Sequence, residues 1–274
     1  MLPAIASTVA ATATLVSTLA FAPIAQAATL RITLDSLSPT NGTALTPTWF
    51  GFHDGSFDLY NRGEAATLGL ERLAEDGTID DINAEFLANG GGTVQGALFG
   101  PTAPPILPGE STSILIDVDA SAVSSRYFSY AAMLLPSNDF FIANGNPLAF
   151  RIFDDAGRFL GADFTVTGQQ VLDSGTEVND ELFETTAFLG QSVPNTGTTE
   201  GGTVQLAGGF IPGGRILSEP RFANADFTAP GYQVARFRVE LVNDPAASVP
   251  EPGVVVALLA VGGLMLGYRQ QQQA

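Results

Sequence analysis

Hydrophobic and polar positions alternate with a period of two in several stretches of the chain. Leu30, Ile32 and Leu34 interleave with Arg31, Thr33 and Asp35, and Ile114, Ile116 and Val118 with Ser113, Leu115 and Asp117. Phe237, Val239 and Leu241 interleave in the same way with Arg236, Arg238 and Glu240. Successive side chains of a strand point to opposite faces, so each stretch predicts a strand, the first and last having one wet face. Further strands are predicted at residues 49–53, 127–134, 148–153 and 164–167. Turn-forming clusters such as Asn144-Gly145-Asn146-Pro147 and Asp155-Ala156-Gly157 separate them. Helical periodicity is confined to residues 64–73, where Leu68, Leu70 and Leu73 form a short stripe, and to residues 80–87. The expected fold class is all-β, an antiparallel sandwich with one or two short inserted helices.

The two ends depart from this pattern. Residues 1–27 contain no Asp, Glu, Lys or Arg and finish Ala25-Gln26-Ala27, the small-x-small pattern of a signal-peptidase site, which predicts a signal peptide removed before Ala28. Residues 253–268 form an uncharged apolar run, about 24 Å long as a helix, against a hydrocarbon core of about 30 Å. That length suits a transient rather than a permanent span of the inner membrane. Val249-Pro250-Glu251-Pro252 stands before the run and Arg269 after it. This three-part end, residues 249–274, resembles the PEP-CTERM sorting signal. The resemblance implies export, brief anchoring by the apolar helix, processing by an exosortase-type enzyme, and a final place at the cell surface or outside the cell. Residues 28–248 are left as one domain.

Composition narrows the chemistry. Among 274 residues there is no cysteine and one histidine, and all 11 cations are arginine against 28 acids, for a net charge of -17. Without lysine or cysteine there is no Schiff base, thiolate nucleophile, Cys/His zinc site or iron–sulfur cluster. The charge repels a phosphate backbone, which excludes nucleic acid as a natural partner. What survives is chemistry built on oxygen ligands. The 19 phenylalanines suit a sandwich interior, whereas one tryptophan and five tyrosines leave little for an aromatic sugar platform. His53 lies in Phe52-His53-Asp54-Gly55-Ser56, three polar neighbours on one short segment; a hydrolytic triad draws its members from separate elements, so a structural role is expected and no catalytic residue is assigned. Gly91-Gly92-Thr93-Val94-Gln95 recurs as Gly201-Gly202-Thr203-Val204-Gln205, read as two glycine-led loops.

The strongest local cluster is Leu172-Asp173-Ser174-Gly175-Thr176-Glu177, followed by Asn179-Asp180-Glu181. Acids at i and i+4 around a glycine turn can wrap a hard divalent cation, which takes six to eight oxygens; an Asx-turn on a solvated acidic surface is the alternative reading. Pro136-Ser137-Asn138-Asp139 places a second acid at a strand end.

Residues 126–141 (RYFSYAAMLLPSNDFF), with Asp173-x-Gly175-Thr176-Glu177 downstream, resemble the spondin-type domain found at the N-terminal side of F-spondin. Residues 49–58 (WFGFHDGSFD) and 223–236 (ANADFTAPGYQVAR) are similar to its bacterial branch, so the likeness runs from Thr29 to about Val242. It implies a C2-like β-sandwich of about eight strands with one Ca2+ held at its end. Asp139, Asp173 and Glu177 match the three acids implied as ligands, Glu177 standing where the family has Asp. The expected function is that of an exported, non-enzymatic, calcium-binding protein of the cell surface or extracellular matrix, adhesive or associated with exopolysaccharide. Its partner would be an extracellular polysaccharide or a surface protein. The alternative is a carbohydrate-active or lectin-like sandwich acting on glycans through surface carboxylates.

Overall fold

A computed structural model describes residues 27–89 and 91–243. In chain order the elements are β1 (Ala27–Ser36), β2 (Ala44–Leu45), β3 (Thr48–His53), α1 (Leu68–Asp76), α2 (Asp80–Asn89), β4 (Val94–Leu98), β5 (Ser111–Asp119), β6 (Tyr127–Leu135), β7 (Phe140–Ala143), β8 (Ala162–Thr167), β9 (Leu172–Asp173), β10 (Gln205–Leu206), α3 (Arg215–Ser218) and β11 (Gln233–Asn243). They form two antiparallel sheets, one in the order β5-β1-β11-β8 and the other β10-β9-β7-β6-β3-β4, with β2 added to β6. The protein is an all-β sandwich with short helices, as its periodicity predicts. Eight of the described strands have four or more residues; β2, β9 and β10 have two each.

The smaller sheet follows directly from alternation. β1 pairs with β11 and with β5, and buries Leu30, Ile32 and Leu34 beside Phe237 and Val239. The intervening positions carry Arg31, Asp35, Arg236 and Arg238 on the wet face, where Arg236 meets Asp163 at 2.6 Å and Arg238 meets Asp35 at 3.0 Å. Such exposed pairs each contribute about 0–1 kcal/mol, so burial on the opposite face is the stronger reason for the register.

The larger sheet is buried on both faces. Phe50 and Phe52 of β3 enter the core between the sheets, with Phe128, Tyr130 and Leu134 of β6. Trp49 points the other way, into a second core with Leu70, Leu73 and Ala74 of α1 and Ile82 and Phe86 of α2. β6 consequently reads as YFSYAAMLL with almost every position buried and no polar alternation. The two inserted helices thus form a third layer over the sandwich. α1 starts at Leu68 rather than Glu64 because the Thr67 side chain accepts from Leu70 N and caps the helix there; Gly77, at φ 67°, ends it by donating to Leu73 O.

One predicted strand is not formed. Residues 148–153 make only isolated bridges, Tyr127 with Arg151 and Phe153 with Phe159, because turns at 144–147 and 155–157 hold the segment to a short crossing of the β6 start. Residues 1–26 of the predicted signal peptide and the apolar run at 253–268 lie outside the described residues; Ala27, the last residue of that peptide, is the first of β1 and pairs with Asp119. Among the described residues no helix is long and apolar enough to cross a membrane.

Candidate metal site at one end of the sandwich

The turn from β6 to β7 is tied by Ser137, whose Oγ donates to Leu134 O at 2.6 Å and accepts from Phe140 N at 3.1 Å. It sets Asp139 at the head of β7, fully buried. β9 pairs with β7 so that Asp173 lies opposite Phe140, which brings the second acid-bearing loop against the first. Gly175 turns that loop at φ 69°, and a Cβ there would meet Thr203 N at 2.6 Å, so both backbone conformation and space require glycine.

The loop folds over the Asp139 carboxylate. Its Oδ2 accepts from Ser174 Oγ at 2.8 Å, Thr176 N at 2.9 Å and Glu177 N at 3.1 Å. Asp173 Oδ1 accepts from Gly175 N at 2.8 Å, and its Oδ2 from Asn179 Nδ2 at 3.0 Å. Glu177 Oε1 accepts from Gly197 N at 2.8 Å. Two oxygens are left over: Asp139 Oδ1 and Glu177 Oε2 are both buried without a hydrogen-bond partner. A buried oxygen without a donor is costly, and a hard cation is one group that would satisfy it.

The carboxyls also disfavour one another's ionisation. Burial, then the neighbouring Asp139 charge, pushes the Asp173 carboxyl up to about 7. Burial, then Glu75 on α1, pushes Glu177 up to about 7, and Glu75 is raised to about 7 by burial and by Glu71. The predicted acids are therefore gathered at one end of the sandwich, with Asp139 and Asp173 adjacent. Glu177 reaches Asp139 through its backbone N–H, while its carboxylate is held by Gly197. Among the described residues no three His, Asp or Glu side chains converge into a group shaped to hold a metal ion. The donor chemistry fits a hard cation at Asp139 and Asp173; Glu177 brings an unpartnered oxygen to the same loop.

Glu75 is an addition that the loop sequences alone do not disclose, whereas Glu181 belongs to the acid cluster of the loop itself. Glu75 enters because α1 packs over the site's loop. Glu181 is structural: its carboxylate accepts from Ile211 N at 2.8 Å and from Ile216 N at 2.9 Å, the latter in the first turn of α3.

His53 is fully buried, its ring stacked 6.2 Å from Tyr127. Gly55 N donates to its Nδ1 at 3.0 Å, so the ring proton sits on Nε2 and is donated to Ser129 Oγ at 2.9 Å. Burial holds the imidazole down at about 4, hence neutral. Ser129 is itself fully buried, and Nδ1 faces a backbone N–H rather than a carboxylate, so His53, Asp54 and Ser56 do not form a triad.

No family model matches the chain, and no curated protein matches it.

Proposed function

We propose that this is an exported, non-enzymatic β-sandwich of the cell surface or extracellular matrix, stiffened by one calcium ion at Asp139, Asp173 and Glu177 and associated with an extracellular polysaccharide or surface protein. The observation that carries the metal is the pair of buried, unpartnered carboxylate oxygens, Asp139 Oδ1 and Glu177 Oε2, on loops that also hold Asp173. Asp139 beside Asp173, and Glu177 near Glu75 and Asp139, disfavour one another's charge unless protons or a cation neutralise them. Calcium tolerates irregular oxygen geometry, which also suits a glutamate where the resemblance implies aspartate. Support for export is the small-x-small site at residues 25–27 and the Pro-Glu-Pro before the terminal apolar run.

Calcium binding only the folded state stabilises it by about 2.7 kcal/mol at a hundredfold excess over Kd. For a domain of this size that is about 5–10 °C in Tm. The expected result is a Tm for the 28–248 body that rises in calcium over chelator, rises less in magnesium, and loses most of the difference in Asp173→Asn. Equal melting curves in calcium and chelator, on protein first stripped of metal, would remove the site.

A further inference from the structure

We propose that a second site, a cleft between the 60–62 segment and the β7–β9–β10 side of the larger sheet, binds a saccharide bearing a carboxylate, that is, a uronic-acid unit. The proposal rests on the extracellular reading above for the source of its ligand, but none of Asp139, Asp173 and Glu177 lines the cleft. Its volume is about 620 Å³, within the range of small-molecule sites and large enough for a short oligosaccharide. In a chain with 28 acids, no Asp or Glu among the described residues lines it.

The one charged side chain among the described residues that lines it is Arg62. Arg62 makes no ion pair among the described residues, although seven other arginines do. Gln170 Oε1 is occupied by Thr167 N at 2.9 Å and Thr167 Oγ1 at 3.1 Å, and Asn146 Oδ1 by Leu148 N at 3.0 Å. In both amides the acceptor end is committed to the protein and the NH2 end is the one left for a ligand. Asn144 is fully engaged in holding the loop, accepting from Tyr130 N and donating to Ser129 Oγ and Asn146 O. Asn61 donates its Nδ2 to Asp58 at 3.1 Å and keeps its Oδ1, and Gln169 also lines the cleft, so one guanidinium stands among amides that both donate and accept, as sugar hydroxyls do, and a guanidinium pairs with a carboxylate through two parallel hydrogen bonds.

The aromatic wall separates a sugar from a bare inorganic anion. Trp49 is buried in the second core, Tyr130 is buried, and Phe150 has one face stacked on Phe164 at 3.7 Å, which leaves Tyr60 as the platform at the cleft. Its ring packs edge-on to Phe141 at 5.6 Å, and Gly145 lies so close that a Cβ there would meet the Tyr60 hydroxyl at 2.7 Å. The ring is fixed before any ligand arrives, which reduces the ordering cost of binding.

The test is calorimetric titration of the secreted protein, in chelator so that calcium cannot bridge two carboxylates, with trigalacturonate, cellotriose and inorganic phosphate. Trigalacturonate should bind at least tenfold more tightly than cellotriose, Arg62→Gln should remove that advantage, and Tyr60→Ala should weaken both sugars, with melting curves confirming that each variant is folded. No binding of either sugar overturns the proposal, as does equal binding of both that Arg62→Gln leaves unchanged. Phosphate binding as tight as that of trigalacturonate also overturns it, leaving an anion site. The calcium melting experiment contains no saccharide, and this one contains no calcium, so one reading can fail without the other.

Discussion

Buried carboxyls and a buried imidazole give this protein opposing responses to pH. Asp173, Glu177 and Glu75 are each raised to about 7 when folded, from values near 4 in the open chain. Between those limits the folded state holds protons that the unfolded state has lost, so their contribution is full below about pH 4 and is lost as pH rises through about 7. His53 runs the other way: lowered from 6.5 to about 4, it contributes fully above pH 6.5 and loses that contribution as pH falls toward 4. Three groups outweigh one, so in chelator Tm should fall as pH is raised from 4.5 to 7.5. Calcium replaces the protons at Asp173 and Glu177, leaving Glu75 and His53 to offset each other, and the same titration in saturating calcium should be nearly flat. Parallel pH profiles with and without calcium would argue against an ion at these residues. His53→Ala should cost about 2–4 kcal/mol in urea unfolding, from the cavity left and the bonds to Gly55 and Ser129 lost. In chelator it should also steepen the pH profile, because the opposing group is gone.

At the scale of elements, glycines decide how the third layer sits. Gly51 of β3 lies under α2, and a Cβ there would meet Phe86 Cε2 at 2.8 Å and the Trp49 ring at 2.9 Å. Overpacking of this kind costs about 1–3 kcal/mol. Gly51→Ala should therefore speed amide hydrogen exchange across α1 and α2 while β1 and β11 stay protected; uniform loss of protection would mean that the helices are not a separate layer. The repeated pentapeptide has a related explanation. Gly91 and Gly201 both adopt positive φ, 57° and 67°, and the two copies lead into β4 and β10, the opposite edges of the larger sheet. The sequence shows the repeat but not that it marks the two edges, because edge position depends on pairing order. β1, β5 and β11 were legible because each has one dry face and therefore alternates. The lone-bridge segment 148–153 carries the same residue types as a strand, and only its lack of a continuous partner separates it from one. Asp139 and Asp173 were legible as loop acids. That Glu177 directs its carboxylate to Gly197, and that Glu75 joins it, depends on packing of α1 and the 195–202 segment, which no local pattern encodes.

At the scale of the whole molecule, electrostatics can imitate a metal site. Residues 28–248 hold 27 acids and 10 arginines, so the folded body repels itself and any added cation relieves some of that repulsion. Screening depends on ionic strength alone: the Debye length falls from about 30 Å at 10 mM to about 10 Å at 0.1 M. Raising NaCl from 10 to 150 mM should accordingly raise Tm, in the wild type and in Asp173→Asn alike. One millimolar calcium chloride adds only about 3 mM to the ionic strength, too little to alter that screening. A calcium-dependent rise of several degrees at 10 mM NaCl is then more than screening supplies, and a rise that comes from the buried oxygens should persist at 150 mM because they are screened far less than surface charge. Asp173→Asn should keep the sodium response and lose the calcium response. If the variant instead kept both, calcium would be acting on this protein as a general counter-ion, and the buried oxygens of Asp139 and Glu177 would need another partner.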